Sequence, residues 1–102
     1  MAINTTATIT ALEAEAKASL FLSDCTPDRL MAGSPRPGAG TETWMVPVLL
    51  SYPVIGPVGE VGEIIIDARS GEVKSHTGIE EMLSRARTLY DKHRDAIEAA
   101  IS

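Results

Sequence analysis

Between Glu42 and Glu60 the chain runs for seventeen residues without a charge, Thr43 to Gly59, and this run decides what its middle can become. A membrane helix is excluded there, because Pro47, Pro53 and Pro57 each remove a backbone donor and Gly56 and Gly59 weaken a helix further. A strand followed by a loop suits the same residues. Trp44, Val46, Val48, Leu50 and Tyr52 alternate onto one face, with Met45, Pro47, Leu49 and Ser51 on the other. Pro47 has no N–H to give, so its nitrogen is expected on an unpaired side or at a bulge. The loop Pro53–Gly59 then leads into a second β run, Glu60–Asp67, with Gly62, Ile64 and Ile66 sharing a face.

Helical patterns flank this β region. Thr10-Ala11-Leu12-Glu13 fits the T-x-x-E capping box, in which both side chains satisfy backbone N–H groups at a helix start. Ile9, Leu12, Ala16 and Leu20 follow as an apolar stripe, which predicts a helix over about residues 10–22 that exits through Ser23–Pro27. Arg29–Ala32 either opens a short edge strand or stays in the loop, and Ser34–Gly40 reads as turn or loop. Asp67–Gly71 reads as a tight turn, with Gly71 taking a positive φ and Glu72–Ser75 returning as the next antiparallel strand. Thr77-Gly78-Ile79-Glu80 is a second T-x-x-E box. It opens a long helix whose stripe carries Met82, Leu83, Ala86, Leu89, Tyr90, His93, Ala96, Ile97 and Ala100, with Glu81–Arg85 and Arg94–Glu98 paired on the outer face.

The expected fold is a single α+β domain over residues 1–102. It has an N-terminal helix, a three- to four-stranded antiparallel meander and a long C-terminal helix, with both helices on one sheet face. Aromatic residues are only 4% of the chain, so the core must be built from Ile, Leu, Val, Met and Ala.

The closing strand–turn–strand, with Ile66, Asp67, Ser70, Gly71, Glu72 and Val73 in order, resembles the V-D-x-x-T-G-E-V type hairpin that ends the small helix-on-sheet unit of PepSY domains. The resemblance covers roughly residues 10–76. It implies an inhibitory or regulatory module and brings no catalytic residues. PepSY domains are typically exported, whereas the opening Met-Ala-Ile-Asn-Thr-Thr has neither a basic residue nor a long apolar stretch, and the long C-terminal helix is an addition to the family pattern.

No catalytic constellation emerges, so the chain is expected not to be an enzyme, and no cofactor is expected. Cys25 beside Asp24 lacks an evident activating base and reads as a small packing residue at a helix exit. His76 and His93 lie seventeen residues apart, with no H-x-x-x-H or C-x-x-C to seed a metal site. Gly56, Gly59 and Gly62 precede a β run rather than a helix, so they read as a tight connection or bulge rather than a phosphate cradle. Glu63 and Asp67 are expected on one strand face and Glu60 on the other.

Net charge is −5, from nine Lys and Arg against fourteen Asp and Glu. That argues against nucleic-acid binding, which needs clustered positive charge, and suits a basic protein partner. The lone cysteine and the absence of a recognisable signal peptide point to the cytoplasm, with no membrane association. Both strand faces carry bulky apolar residues, more than one helical layer consumes. Either the Pro53–Gly59 loop or another protein must cover the surplus. The leading expectation is an interaction or regulatory module, antitoxin-like in one version, that homodimerises or masks a partner. The alternative is a small-ligand pocket between sheet and helices near Trp44, Tyr52, Tyr90 and His93, and a small enzyme ranks third.

Overall fold

A computed structural model describes residues 9–26, 29–38, 42–53 and 55–101. The readings made of the first six residues, Pro27, Ala39, Gly40 and the Ala100 side chain lie outside them. The first helix, α1 (Ala11–Cys25), opens on the expected capping box: the Glu13 N–H donates to Thr10 Oγ1 at 3.1 Å, and the Thr10 N–H donates to Glu13 Oε1 at 2.8 Å. It continues to Cys25 instead of ending at residue 22, and the Thr26 N–H and hydroxyl both donate to the Leu22 carbonyl at 2.8 Å.

Its buried face differs from the expected one. Ala14, Ala18 and Leu22 are in the core, while Leu12 and Leu20 are 76% and 64% exposed. The two stripes are offset by two residues, roughly 200° around the helix, so choosing one turns the other to solvent. Small alanines let the helix approach the sheet closely, and packing selected them over the larger leucines.

Five strands follow: β1 (Leu30–Ala32), β2 (Arg36–Pro37), β3 (Thr43–Tyr52), β4 (Gly56–Asp67) and β5 (Val73–His76). They form one antiparallel sheet in the order β1-β3-β4-β5, with β2 also paired to β3. The Arg29–Ala32 segment is thus an edge strand from Leu30, and Arg36–Pro37, expected as loop, pairs with Met45 and Trp44. Pro47 explains why β1 and β2 are separate. Its carbonyl accepts from the Gly33 N–H at 2.8 Å, so its nitrogen faces the same side, where the outer pairing lapses between Ala32 and Arg36.

β4 begins at Gly56, so most of the expected Pro53–Gly59 loop is strand and does not cover the sheet. The register of β4 against β3 slips twice: Val48 faces Gly62 but Leu49 faces Glu60, and Leu50 faces Gly59 but Ser51 faces Pro57. Val61 and Val58 are therefore extra residues in successive bulges. The local sequence is Val58-Gly59-Glu60-Val61-Gly62-Glu63, a repeat of three on a strand whose side chains alternate every two. One bulge per repeat restores phase. It sends the valines and glycines to the helix side and both glutamates to the opposite face. Glu60 consequently shares the face of Glu63 and Asp67, contrary to simple alternation, because each lies opposite an odd-numbered β3 residue: Leu49, Pro47 and Thr43.

The β4–β5 turn has the expected chemistry. The Arg69 and Ser70 amides donate to Asp67 Oδ1 at 2.7 and 3.1 Å, the Gly71 amide donates to the Asp67 carbonyl at 2.8 Å, and Gly71 has φ +77°. Donation from Ser70 first, then Arg69, holds the Asp67 carboxyl below its ordinary range. Gly71→Ala is expected to destabilise by about 1 kcal/mol or more. Besides the strained φ, a new Cβ would sit 3.2 Å from Lys17 Cε. An unchanged melting temperature would refute that assignment.

The chain closes with α2 (Ile79–Lys92) and α3 (Arg94–Ile101), so the single long helix expected is broken at His93. The break repartners the outer face. Glu81 pairs with Arg85 as expected, but Arg94 pairs with Asp91 at 2.7 Å, and Glu98 accepts from the Tyr90 hydroxyl at 2.9 Å. The second capping box is not formed. Gly78 is the N-cap, and Thr77 Oγ1 instead accepts from the Glu63 N–H at 3.0 Å, extending the pairing of β4.

α1 and α2 cover the same sheet face. Met82 joins Ala14, Ala18 and Leu22 above Val46, Val48, Leu50, Val61, Ile64 and Ile66. Among the described residues, no helix is long and apolar enough to cross a membrane.

Candidate functional site

Beside the core, the end of the β3–β4 hairpin and the second half of α2 leave a cleft of about 430 Å³. Its floor is Leu30 of β1 and Leu50 of β3, directly paired across the strands. Tyr52 continues the same face of β3. The other wall comes from α2, where Leu83, Ala86, Arg87 and Tyr90 fall three or four residues apart and so present together. Arg29, just before β1, completes the rim with its guanidinium carbon 5.3 Å from the centre of the Tyr52 ring. The Tyr90 hydroxyl is committed to Glu98, and this hydrogen bond, more than burial, raises its pKa. Arg94 lies over the Tyr90 ring at 5.8 Å.

Two of the four expected pocket residues, Tyr52 and Tyr90, therefore meet. Trp44 does not join them. It sits eight residues back along β3, about 26 Å at roughly 3.3 Å per residue, where its Nε1–H donates to the Ile9 carbonyl at 3.1 Å. There it lines a separate hollow with Pro37, Thr43 and Ala68. His93 caps α2, its amide donating to the Leu89 and Tyr90 carbonyls at 3.0 and 3.2 Å, and is likewise outside the cleft.

Sequence reading missed Arg29, Leu30, Leu50, Leu83, Ala86 and Arg87 as cleft residues. The Leu83–Ala86–Arg87–Tyr90 spacing carried a signal for the helical wall. Nothing marked Arg29, which reaches the site only through the register of β1 on β3.

The opposite sheet face is the one that α1 and α2 leave. Met31, Met45, Pro47, Leu49 and Ile65 share it, with Arg36 beside Met45 and with Glu60 and Glu63 on β4. Pro47 is buried, Met45, Leu49 and Ile65 are half-buried, and Met31 is 44% exposed.

The other candidates stay apart. Cys25 ends α1 as an exposed thiol rather than a packed one. His76 is exposed, its ring tilted by 48° against Phe21 with the centres 4.7 Å apart, and its Nδ1 donates to the Thr77 carbonyl at 2.7 Å. Among the described residues, no group of three His, Cys, Asp or Glu side chains could hold a metal ion. Compared with known proteins, the chain matches no family model, no curated protein and no solved structure.

Proposed function

We propose that this chain is a non-catalytic, cytoplasmic interaction module that pairs with a second copy of itself through one face of its sheet. The observation that carries this reading is the apolar stripe of Met31, Met45, Leu49 and Ile65 on the face opposite α1 and α2. Charge supports a second copy as the occupant. Arg36 stands on the β2 side of β3, and Glu60 and Glu63 stand on the β4 side. A two-fold axis along β3 lays the arginine side of one protomer over the glutamate side of the other, in the aligned manner of packed sheets. A basic partner would instead set positive charge against Arg36. The PepSY-like hairpin at Ile66–Val73 fits a regulatory role for such a module.

Light scattering at micromolar concentration is expected to give twice the chain mass. Met31→Lys and Ile65→Lys should each return the mass of one chain, because a buried unpaired ammonium is costly, with the circular dichroism spectrum unchanged. Leu12→Ser combined with Leu20→Ser on the outer face of α1 should leave the dimer intact. A monomeric parent protein overturns the reading. A dimer lost only with the α1 substitutions moves the interface to that helix and overturns it equally.

A further inference from the structure

The pairing of the arginines singles out the cleft between β3 and α2. The chain has six arginines and a net charge of −5, so carboxylate partners are abundant. Arg69 takes Glu42, Arg85 takes Glu81 and Arg94 takes Asp91, while Arg36 lies on the Met45 sulfur at 3.8 Å. Arg29, Arg36 and Arg87 have no carboxylate partner among the described residues, and two of these three, Arg29 and Arg87, line the same cleft. Between them the walls are Leu30, Leu50, Leu83 and Ala86, with the rings of Tyr52 and Tyr90 at the ends.

We infer that this cleft binds a small anionic amphiphile, a single carboxylate on an aliphatic body about the size of a heptyl chain. A guanidinium is a fork of N–H donors suited to a carboxylate, and the apolar walls suit the ligand's hydrocarbon part. Arg29 is held over Tyr52 by its cation–π contact, so it is partly ordered before a ligand arrives. The Tyr90 hydroxyl is already given to Glu98, which leaves the two guanidiniums as the charged donors lining the cleft. Its volume, about 430 Å³, is that of a site for one small molecule rather than for a protein segment. Carboxylate and phosphate monoester heads share this chemistry. The single charge is preferred because two exposed guanidiniums in a strongly acidic chain are a limited counter-charge.

Titration of the full-length protein with sodium octanoate, followed by amide chemical shifts, tests this. Saturable shifts are expected at Leu30, Leu50, Tyr52, Leu83, Arg87 and Tyr90, with a Kd of about 0.1–1 mM for a ligand of this size. Octanol, which lacks the charge, and acetate, which lacks the tail, should each bind about tenfold more weakly or worse. Arg29→Gln and Arg87→Gln should each weaken octanoate about tenfold, and Arg69→Gln, outside the cleft, should not. Ala86→Leu, which fills the cleft from a half-buried position, should abolish the shifts with the melting transition retained. Absence of saturable shifts at these residues overturns the inference, as does equal binding of octanol and octanoate. Tighter binding of octyl phosphate than of octanoate overturns the carboxylate assignment.

Discussion

Ending the chain at Thr77 is expected to leave a polypeptide without a cooperative melting transition. α2 supplies Met82, which is fully buried, and packs Ile79, Leu83, Ala86 and Leu89 against the core. Each large apolar side chain contributes roughly 1.5–3 kcal/mol when removed from water. With Met82 fully buried and Ile79, Leu83 and Leu89 half-buried, the four together reach the lower part of the whole margin of a small domain, about 5–15 kcal/mol. The loss also strips the helical cover from Val61 and Gly62 and removes Arg85, whose guanidinium donates to the Val61 carbonyl at 3.4 Å. Circular dichroism against temperature checks this directly. A sharp transition in the shortened chain would make the C-terminal helices a detachable arm and would falsify their place in the core.

Gly62→Ala is expected to be far more damaging than Gly59→Ala, although both glycines lie under α2. A Cβ on Gly62 would come within 2.9 Å of Thr77 Cβ and 3.1 Å of Met82 Cγ. Thr77 cannot retreat easily, because its hydroxyl and its amide are both bonded to the Glu63 backbone, at 3.0 Å each. Among the described residues only Gly56 and Gly71 are glycines with positive φ, so the cost at Gly62 is steric and not conformational. About 1–3 kcal/mol is expected, the usual range for overpacking a tight contact. That corresponds to a fall in melting temperature of roughly 4–8 °C for each kcal/mol in a domain of this size. A Cβ on Gly59 would crowd only the terminal methyls of Leu89, at 2.9 and 3.1 Å, with its Cγ at an ordinary 3.6 Å, and the end of that side chain can shift. Its cost should stay within about 0.5 kcal/mol. Equal effects at the two sites would mean that Thr77 is not held in place over Gly62.

The contrast between these glycines shows where sequence reading stops. Their spacing of three was visible, but its meaning was not. A strand period of two converts such a spacing into opposite faces unless an extra residue is inserted. Two bulges, at Val58 and Val61, are what put both glycines under one helix and both glutamates on the face opposite α1 and α2. The same limit applied to α1, where two apolar stripes of similar spacing were present and only contact with the sheet chose Ala14, Ala18 and Leu22. Thr77 had two competing uses, helix cap or strand partner, and the strand took it. In the cleft, Tyr52 and Tyr90 were legible as candidates because each sits on an apolar face. Trp44 shares the Tyr52 face of β3, yet alternation says which side a residue takes and not how far along the strand it lies from its helix.

Local chemistry was settled by the residues alone. The Thr10–Glu13 box, the Asp67–Gly71 turn and the gap opposite Pro47 all depend on atoms within a few residues or on one missing N–H, and each follows from sequence. So does the α+β order of helix, antiparallel strands and helix, because the two side-chain periods differ and the uncharged run with its three prolines admits no helix. Tertiary structure alone decided which stripe of α1 is buried, where β4 slips, where the last helix breaks and which arginines converge on the cleft. These outcomes compare alternatives of nearly equal local energy. The difference between them lies in contacts with residues distant in the chain, and those exist only once the sheet and its helices are packed.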